Sequence, residues 1–150
     1  MPFHRFFHTP GTFTQADKDE IAHRVTKIYT DAGLAPFYTI VVFIPVEASD
    51  FYVGGKQNAE KFVRIGIQHI ARHFASPVEV QRFFDLYDKA VVPYIKERGL
   101  EYEIAVDESD FNLVRQSGHP LPIANSKAEK KWARLNKAVP YTDEENTVEK

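Results

Sequence analysis

Met1-Pro2-Phe3-His4-Arg5-Phe6-Phe7-His8 reads as a short strand over 2–8. Its alternation puts Pro2, His4, Phe6 and His8 on one face and Phe3, Arg5 and Phe7 on the other. Proline can open a strand because the first residue need not donate to the ladder. The same stretch holds the first candidate for chemistry. An initiator methionine is normally removed when proline follows it, and removal would leave Pro2 as a free secondary amine. An ordinary α-amino group titrates near pH ~8, and burial among aromatic rings lowers that value. A base poised near neutrality is what general acid–base catalysis asks for. Met-Pro also opens many chains without any such role, so the rest of the sequence has to decide.

Thr9-Pro10-Gly11-Thr12 is a turn signal. Thr14 then fits an N-cap, with Asp17 and Glu20 favourable near the positive end of a helix over 15–32. Ile21, Val25, Ile28, Tyr29 and Ala32 form its apolar stripe, and Gly33 suits a left-handed cap. The run 37–44 is apolar on both faces, so it reads as a central, fully buried strand ending at Pro45. Residues 46–61 are loop-like. Gly54-Gly55 lacks the Gly-Lys-Ser/Thr ending of a phosphate loop and reads as a turn.

The next strand spans 62–70. Val63, Ile65, Ile67 and His69 share one face, and Arg64 falls on the other. A guanidinium is rarely buried without a partner. Arg64 therefore marks a pocket or interface, or pairs with an acid such as Asp107. Ser76-Pro77-Val78-Glu79 opens a second helix. Its apolar face runs from Val80 through Phe83, Tyr87 and Val91 to Tyr94; Pro93 should kink or end it, and Gly99 stops it. Leu100, Tyr102, Ile104 and Val106 alternate with Glu101, Glu103 and Asp107, a half-exposed strand. Beyond Asp110 the expectation is a helical turn over 111–116, a loop over 118–122 and a helix over 127–137 anchored by Trp132 and Leu135.

This order defines an α+β fold: two consecutive βαβ units, about 2–48 and 62–109, forming one mixed sheet with both helices on one face. A C-terminal helical extension completes a domain over 1–137, and 138–150 is a flexible tail. The uncovered sheet face calls for self-association. A ferredoxin-like α+β dimer is also built from split βαβ units.

Composition narrows the function. At 150 residues and 43% hydrophobic, with 12 Phe and 7 Tyr, the chain can bury an aromatic core or pocket. A net charge of −2 offers no broad basic field for nucleic acid or anionic lipid. No apolar run is long enough to span a membrane, and no signal-peptide pattern opens the chain. The absence of Cys excludes disulfides and thiolate chemistry. A soluble cytoplasmic protein is the expectation. His69 and His73 lie four apart, as metal ligands on a helix would, but no third ligand is spaced to join them. Neither metal nor cofactor is expected. His4 and His8 could tune Pro2 or simply lie at the surface.

An N-terminal Pro on the first strand of a βαβ pair resembles the tautomerase superfamily. The length points to its cis-3-chloroacrylic acid dehalogenase-like branch and to the oxalocrotonate tautomerase group. The stretches that carry the likeness are Pro2-Phe3, Thr9 to Phe13, Ile28-Tyr29-Thr30-Asp31, Pro36-Phe37-Tyr38, Val53 to Lys56, Phe62 to Ile65, His69-Ile70-Ala71-Arg72 and Glu129-Lys130-Lys131-Trp132. The resemblance implies a homotrimer, or a hexamer of smaller units, acting on small carboxylates without a cofactor. It makes Pro2 the catalytic base. Arg72 matches the second arginine of the dehalogenase pair, and His69 stands where the first would be. Arg64 is a further carboxylate-binding candidate, and a guanidinium offers a bidentate fork for that purpose. His69 would orient the substrate or donate to an enolate oxygen. Gln116 occupies the place of the glutamate that activates water in the dehalogenases. Gln cannot accept a proton as Glu does, which disfavours hydrolytic dehalogenation but spares tautomerisation. A catalytically silent trimer that keeps the fold remains the rival reading.

Overall fold

The structure is a computed structural model that describes residues 1–70 and 72–148. In chain order, strand β1 (Phe3–His8) leads to helix α1 (Gln15–Thr30) and strand β2 (Ile40–Pro45). Two short strands, β3 (Tyr52–Val53) and β4 (Lys56–Gln57), form a hairpin in the connection. Strand β5 (Val63–His69), helix α2 (Pro77–Val91) and strand β6 (Tyr102–Glu108) make the second unit. A small hairpin of β7 (Arg115–Gln116) and β8 (His119–Pro120) precedes helix α3 (Lys127–Leu135).

Both expected βαβ units are present. The main sheet runs in the order β2-β1-β5-β6. β1 is parallel to β2, β5 is parallel to β6, and the two units join through the antiparallel pairing of β1 with β5. Alternation decides what goes inside. His4, Phe6 and His8 from β1 and Val63, Ile65, Ile67 and His69 from β5 are buried. Ile21, Val25 and Tyr29 of α1 and Phe83, Tyr87, Ala90 and Val91 of α2 are buried with them in one core. Phe3, Arg5, Phe7, Arg64, Gly66 and Gln68 face the opposite way and stay half-exposed.

The helix starts follow their caps. Thr14 and Asp17 form a reciprocal capping box. Asp17 also pairs through both oxygens with Arg98, at 2.7 and 2.9 Å, which ties the start of α1 to the turn after α2. Ser76 accepts from the Glu79 amide at the start of α2. α1 ends at Thr30, two residues before its expected end, with Asp31 as its cap.

Several expectations need correction. The apolar run 37–44 is not a central buried strand. Its first part is a single 3-10 turn, Pro36–Tyr38, and the rest becomes β2 at the edge of the sheet. Its residues are apolar on both faces although one face is uncovered in this single chain. The 111–116 turn is a 3-10 turn, Phe111–Leu113, followed by the hairpin of β7 and β8. In α3, Leu135 is exposed and the buried anchors are Ala128, Glu129 and Trp132. The segment after α3 bonds back to α3 and to the β7–β8 hairpin. Trp132 Nε1 donates to the Val139 carbonyl at 2.7 Å, the Ala128 amide donates to the Glu145 carbonyl at 2.8 Å, and Lys131 pairs with Glu145. Glu149 and Lys150 lie outside the described residues.

Candidate active site

The register places the site. Phe3 pairs with Ile40 on one side and with Gln68 on the other. The Pro2 carbonyl accepts from the Ile40 amide at 3.0 Å. Pro2 therefore lies beside the C-terminal end of β5, where His69 closes the strand and Arg72 follows. In this structure Met1 precedes Pro2. Met1 is only 7% exposed and packs into the core. Its amino group is pushed down from the ordinary range to about 5 by burial, and it is close enough to His69 to oppose protonation of that ring.

A cavity of about 400 Å³ opens at this end of the sheet. Apolar walls come from Leu34, Phe74, Phe83 and Leu86, and polar ones from Tyr29, His69, Arg72, His73 and Arg82. A cavity of about 150 Å³ suffices for benzene, so this one can take a small organic acid with room to spare. A second cavity of about 130 Å³ is lined by Tyr38, Phe111 and Glu129 among others. Arg72 and His73 border both.

His69 is buried and stacks flat on Phe74, with ring centroids 4.7 Å apart and planes 7° apart. Burial pushes its pKa down to about 4, while Glu108 works in the opposite direction. It is a neutral imidazole at neutral pH. Tyr29 Oη lies 3.4 Å from its Nδ1. His4 lies beneath, fully buried, with Nδ1 3.0 Å from Tyr87 Oη. Burial, with a smaller push from His69, lowers the His4 pKa to about 3. His8 is buried too, so neither histidine of β1 is a surface residue.

Arg72 forms a bidentate pair with Glu129 of α3, at 2.8 and 2.9 Å. Glu129 is 4% exposed and accepts a third bond from the Asn125 amide at 2.7 Å. This support was not read from the sequence. Glu129 stands three residues after Ser126, whose hydroxyl accepts from the Glu129 amide. A capping residue at that position is what the pattern suggests, and only the fold turns its side chain towards Arg72.

The other candidates fall elsewhere in this chain. Arg64 pairs in register with Phe7, at the opposite end of β1 from Pro2. Its partner is Glu103, its neighbour across the β5–β6 ladder, and not Asp107. Gln116 sits in the β7–β8 hairpin opposite His119 and borders neither cavity. His73 is exposed beside Glu108, and it borders the larger cavity together with His69. Among the described residues no group of three His, Asp or Glu is arranged to hold a metal ion, and no helix is long and apolar enough to cross a membrane.

The two-unit sheet with helices on one face is the tautomerase fold. The family described as "Putative oxalocrotonate tautomerase enzyme" matches residues 1–137. The chain belongs to that family, within the tautomerase superfamily. Native RhCC from Rhodococcus jostii RHA1 is similar at 36% identity and a TM-score of 0.89, over 93% of this chain and 99% of that one. A probable enzyme from the thermophilic fungus Aspergillus fumigatus is similar at 33% identity and a TM-score of 0.89, over 94% and 98%. N1, a member of the cis-3-chloroacrylic acid dehalogenase family, shares the fold at 18% identity and a TM-score of 0.65, over 80% and 83%. Among curated proteins none matches at a significant level.

Proposed function

We propose that the protein is a tautomerase-type enzyme in which Pro2, freed by removal of Met1, is the general acid–base on a small 2-oxo or 2-hydroxy carboxylate. The observation that carries this reading is the enclosed amino terminus. In the structure that terminus is the Met1 amine, desolvated and next to His69; Pro2 behind it is buried too, at the end of the sheet where Arg72 borders a cavity of about 400 Å³, and the same surroundings would desolvate a Pro2 amine. A desolvated amine stays unprotonated near neutral pH and can accept a proton.

The chemistry follows from the three groups. Arg72 holds the substrate carboxylate. Pro2 nitrogen takes a proton from the carbon next to the carbonyl, and the C–H electron pair forms the enolate. The His69 N–H donates to the enolate oxygen, and a neutral donor does so without giving up its proton. The protonated Pro2 then returns the proton to oxygen, giving the enol; the reverse sequence gives the ketone. No atom or electron is gained or lost. Arg64 and Gln116 have no part in this scheme. Trimerisation would cover the open sheet face that carries Phe3, Arg5 and Phe7.

The test has three measurements. Intact mass should show a chain lacking Met1. That chain should interconvert phenylenolpyruvate or 2-hydroxymuconate with their keto forms, and Pro2→Ala should abolish the reaction without unfolding the protein. Peptide mass should place an acrylate-type inactivator on Pro2. Turnover undiminished in Pro2→Ala, or an acylated Pro2 nitrogen, overturns the reading.

A further inference from the structure

Tyr29 presents a buried hydroxyl to the site that the scheme above leaves unused. It lies in the last turn of α1, is 3% exposed, and borders the larger cavity. Its hydroxyl has one partner among the described residues, His69 Nδ1 at 3.4 Å. Burial holds the phenol well above its ordinary pKa, so it keeps its proton. A phenol that keeps its proton has one to donate. Donation to Nδ1 satisfies both groups, whereas the opposite arrangement leaves the phenolic proton without an acceptor in the protein.

The acceptor role of one ring nitrogen fixes the other. A neutral imidazole with Nδ1 accepting carries its proton on Nε2. The enclosed polar atoms without a partner include His4 Nε2 and His8 Nε2, but not His69 Nε2. With no partner among the described residues, His69 Nε2 therefore meets the open space of the cavity that His69 lines. The stack on Phe74 and the edge contact with Phe83, at 5.4 Å between centroids, hold the ring against rotation.

We propose that Tyr29 is a positioning residue that fixes His69 as the Nε2–H tautomer, aiming a neutral donor at an acceptor oxygen of the ligand. The catalytic meaning of that donor rests on the tautomerase reading; the tautomer itself does not. The site thereby selects a ligand that presents an enolate or carboxylate oxygen at Nε2, and rejects one that presents an N–H or O–H there.

A long-range proton–nitrogen correlation spectrum of protein labelled with ¹⁵N-histidine tests this at pH 7, with His69 assigned through His69→Gln. The wild type should show Nε2 as the protonated nitrogen of His69. Tyr29→Phe keeps the ring and removes only the hydroxyl. It should shift the Nδ1 resonance and divide His69 between two tautomers. On a 2-oxo acid its kcat should fall about ten- to hundredfold at a nearly unchanged KM, less than the roughly 10²–10³ expected for loss of a whole oxyanion donor. A wild-type spectrum with the proton on Nδ1, or a Tyr29→Phe spectrum identical to wild type, overturns the proposal. A purely structural Tyr29 gives that second result together with a lower Tm. If Tyr29→Phe does not fold, the wild-type spectrum alone decides. The spectrum needs no turnover. A protein with no Pro2-dependent activity would thus sink the tautomerase reading while leaving the tautomer to be decided on its own.

Discussion

β5 carries an arginine near its start and is followed by another just past its end, and the fold treats them differently. Arg64 projects from the open face of the sheet to Glu103; in this single chain Arg64 is half-exposed and Glu103 exposed. Arg72 borders the cavities and is gripped by a carboxylate that is almost fully buried. The first pair is open to solvent screening in the single chain, the kind that adds little to stability. The second is held by three hydrogen bonds on one carboxylate, so the direction of the guanidinium is set before any ligand arrives. A cation becomes a recognition element through what stands behind it as much as through its charge.

The contrast can be broken by experiment. Arg72→Ala should lower kcat/KM on a 2-oxo acid by about 10²–10³, as removal of a preorganised charge partner does, while Arg64→Ala leaves it unchanged. Equal losses in the two variants would erase the distinction. A smaller effect is expected behind Arg72. Glu129→Gln should raise KM about tenfold, equivalent to about 1.4 kcal/mol, and cost about 1–3 kcal/mol in a denaturant melt. A melt shift with no change in KM would show that the pair only anchors α3.

Acid should separate the buried end from the exposed one. His4 and His69 have folded-state values of about 3 and 4, below the ordinary value of 6.5. The unfolded chain therefore binds their protons first. Their contribution is fully present above pH ~6.5 and is lost as pH falls towards those values, at about 1.4 kcal/mol per pH unit for each histidine that must charge. Denaturant midpoints between pH 7 and 4 should fall accordingly, and His4→Phe should flatten the fall. The smallest effect belongs to the outer pair. Glu103→Ala should change stability by less than about 1 kcal/mol in a urea melt, and the change should shrink further in high salt.

Much of this was legible in sequence, for identifiable reasons. Period-2 alternation gave the faces of β1 and β5, and Thr14 and Ser76 fixed two helix starts. Pro2, His69 and Arg72 fall at one end of the sheet. The position of β2 was not legible, because an edge strand that is apolar on both faces has the same pattern as a central one. The partner of Arg64 depends on the register between β5 and β6, which no local pattern encodes. Tyr29 was read as part of an apolar stripe and of a stretch that carries the family likeness, with no role for its hydroxyl, although its polar tip borders the larger cavity. Glu129 was hidden by its capping position, and its burial depends on a contact 57 residues away.

The pairing of β1 with β5 has a consequence for the order of events during synthesis. Phe3 finds its neighbour at Gln68, so the earliest strand leaves the ribosome long before its central ladder can close. Until then one edge of the nascent first unit stays unpaired and its core is half covered. Long-range pairing of this kind slows folding and leaves sticky intermediates exposed. The exposed connection around Tyr52 and Val53 is consequently where the gene could be divided into two fragments that become structured only on meeting.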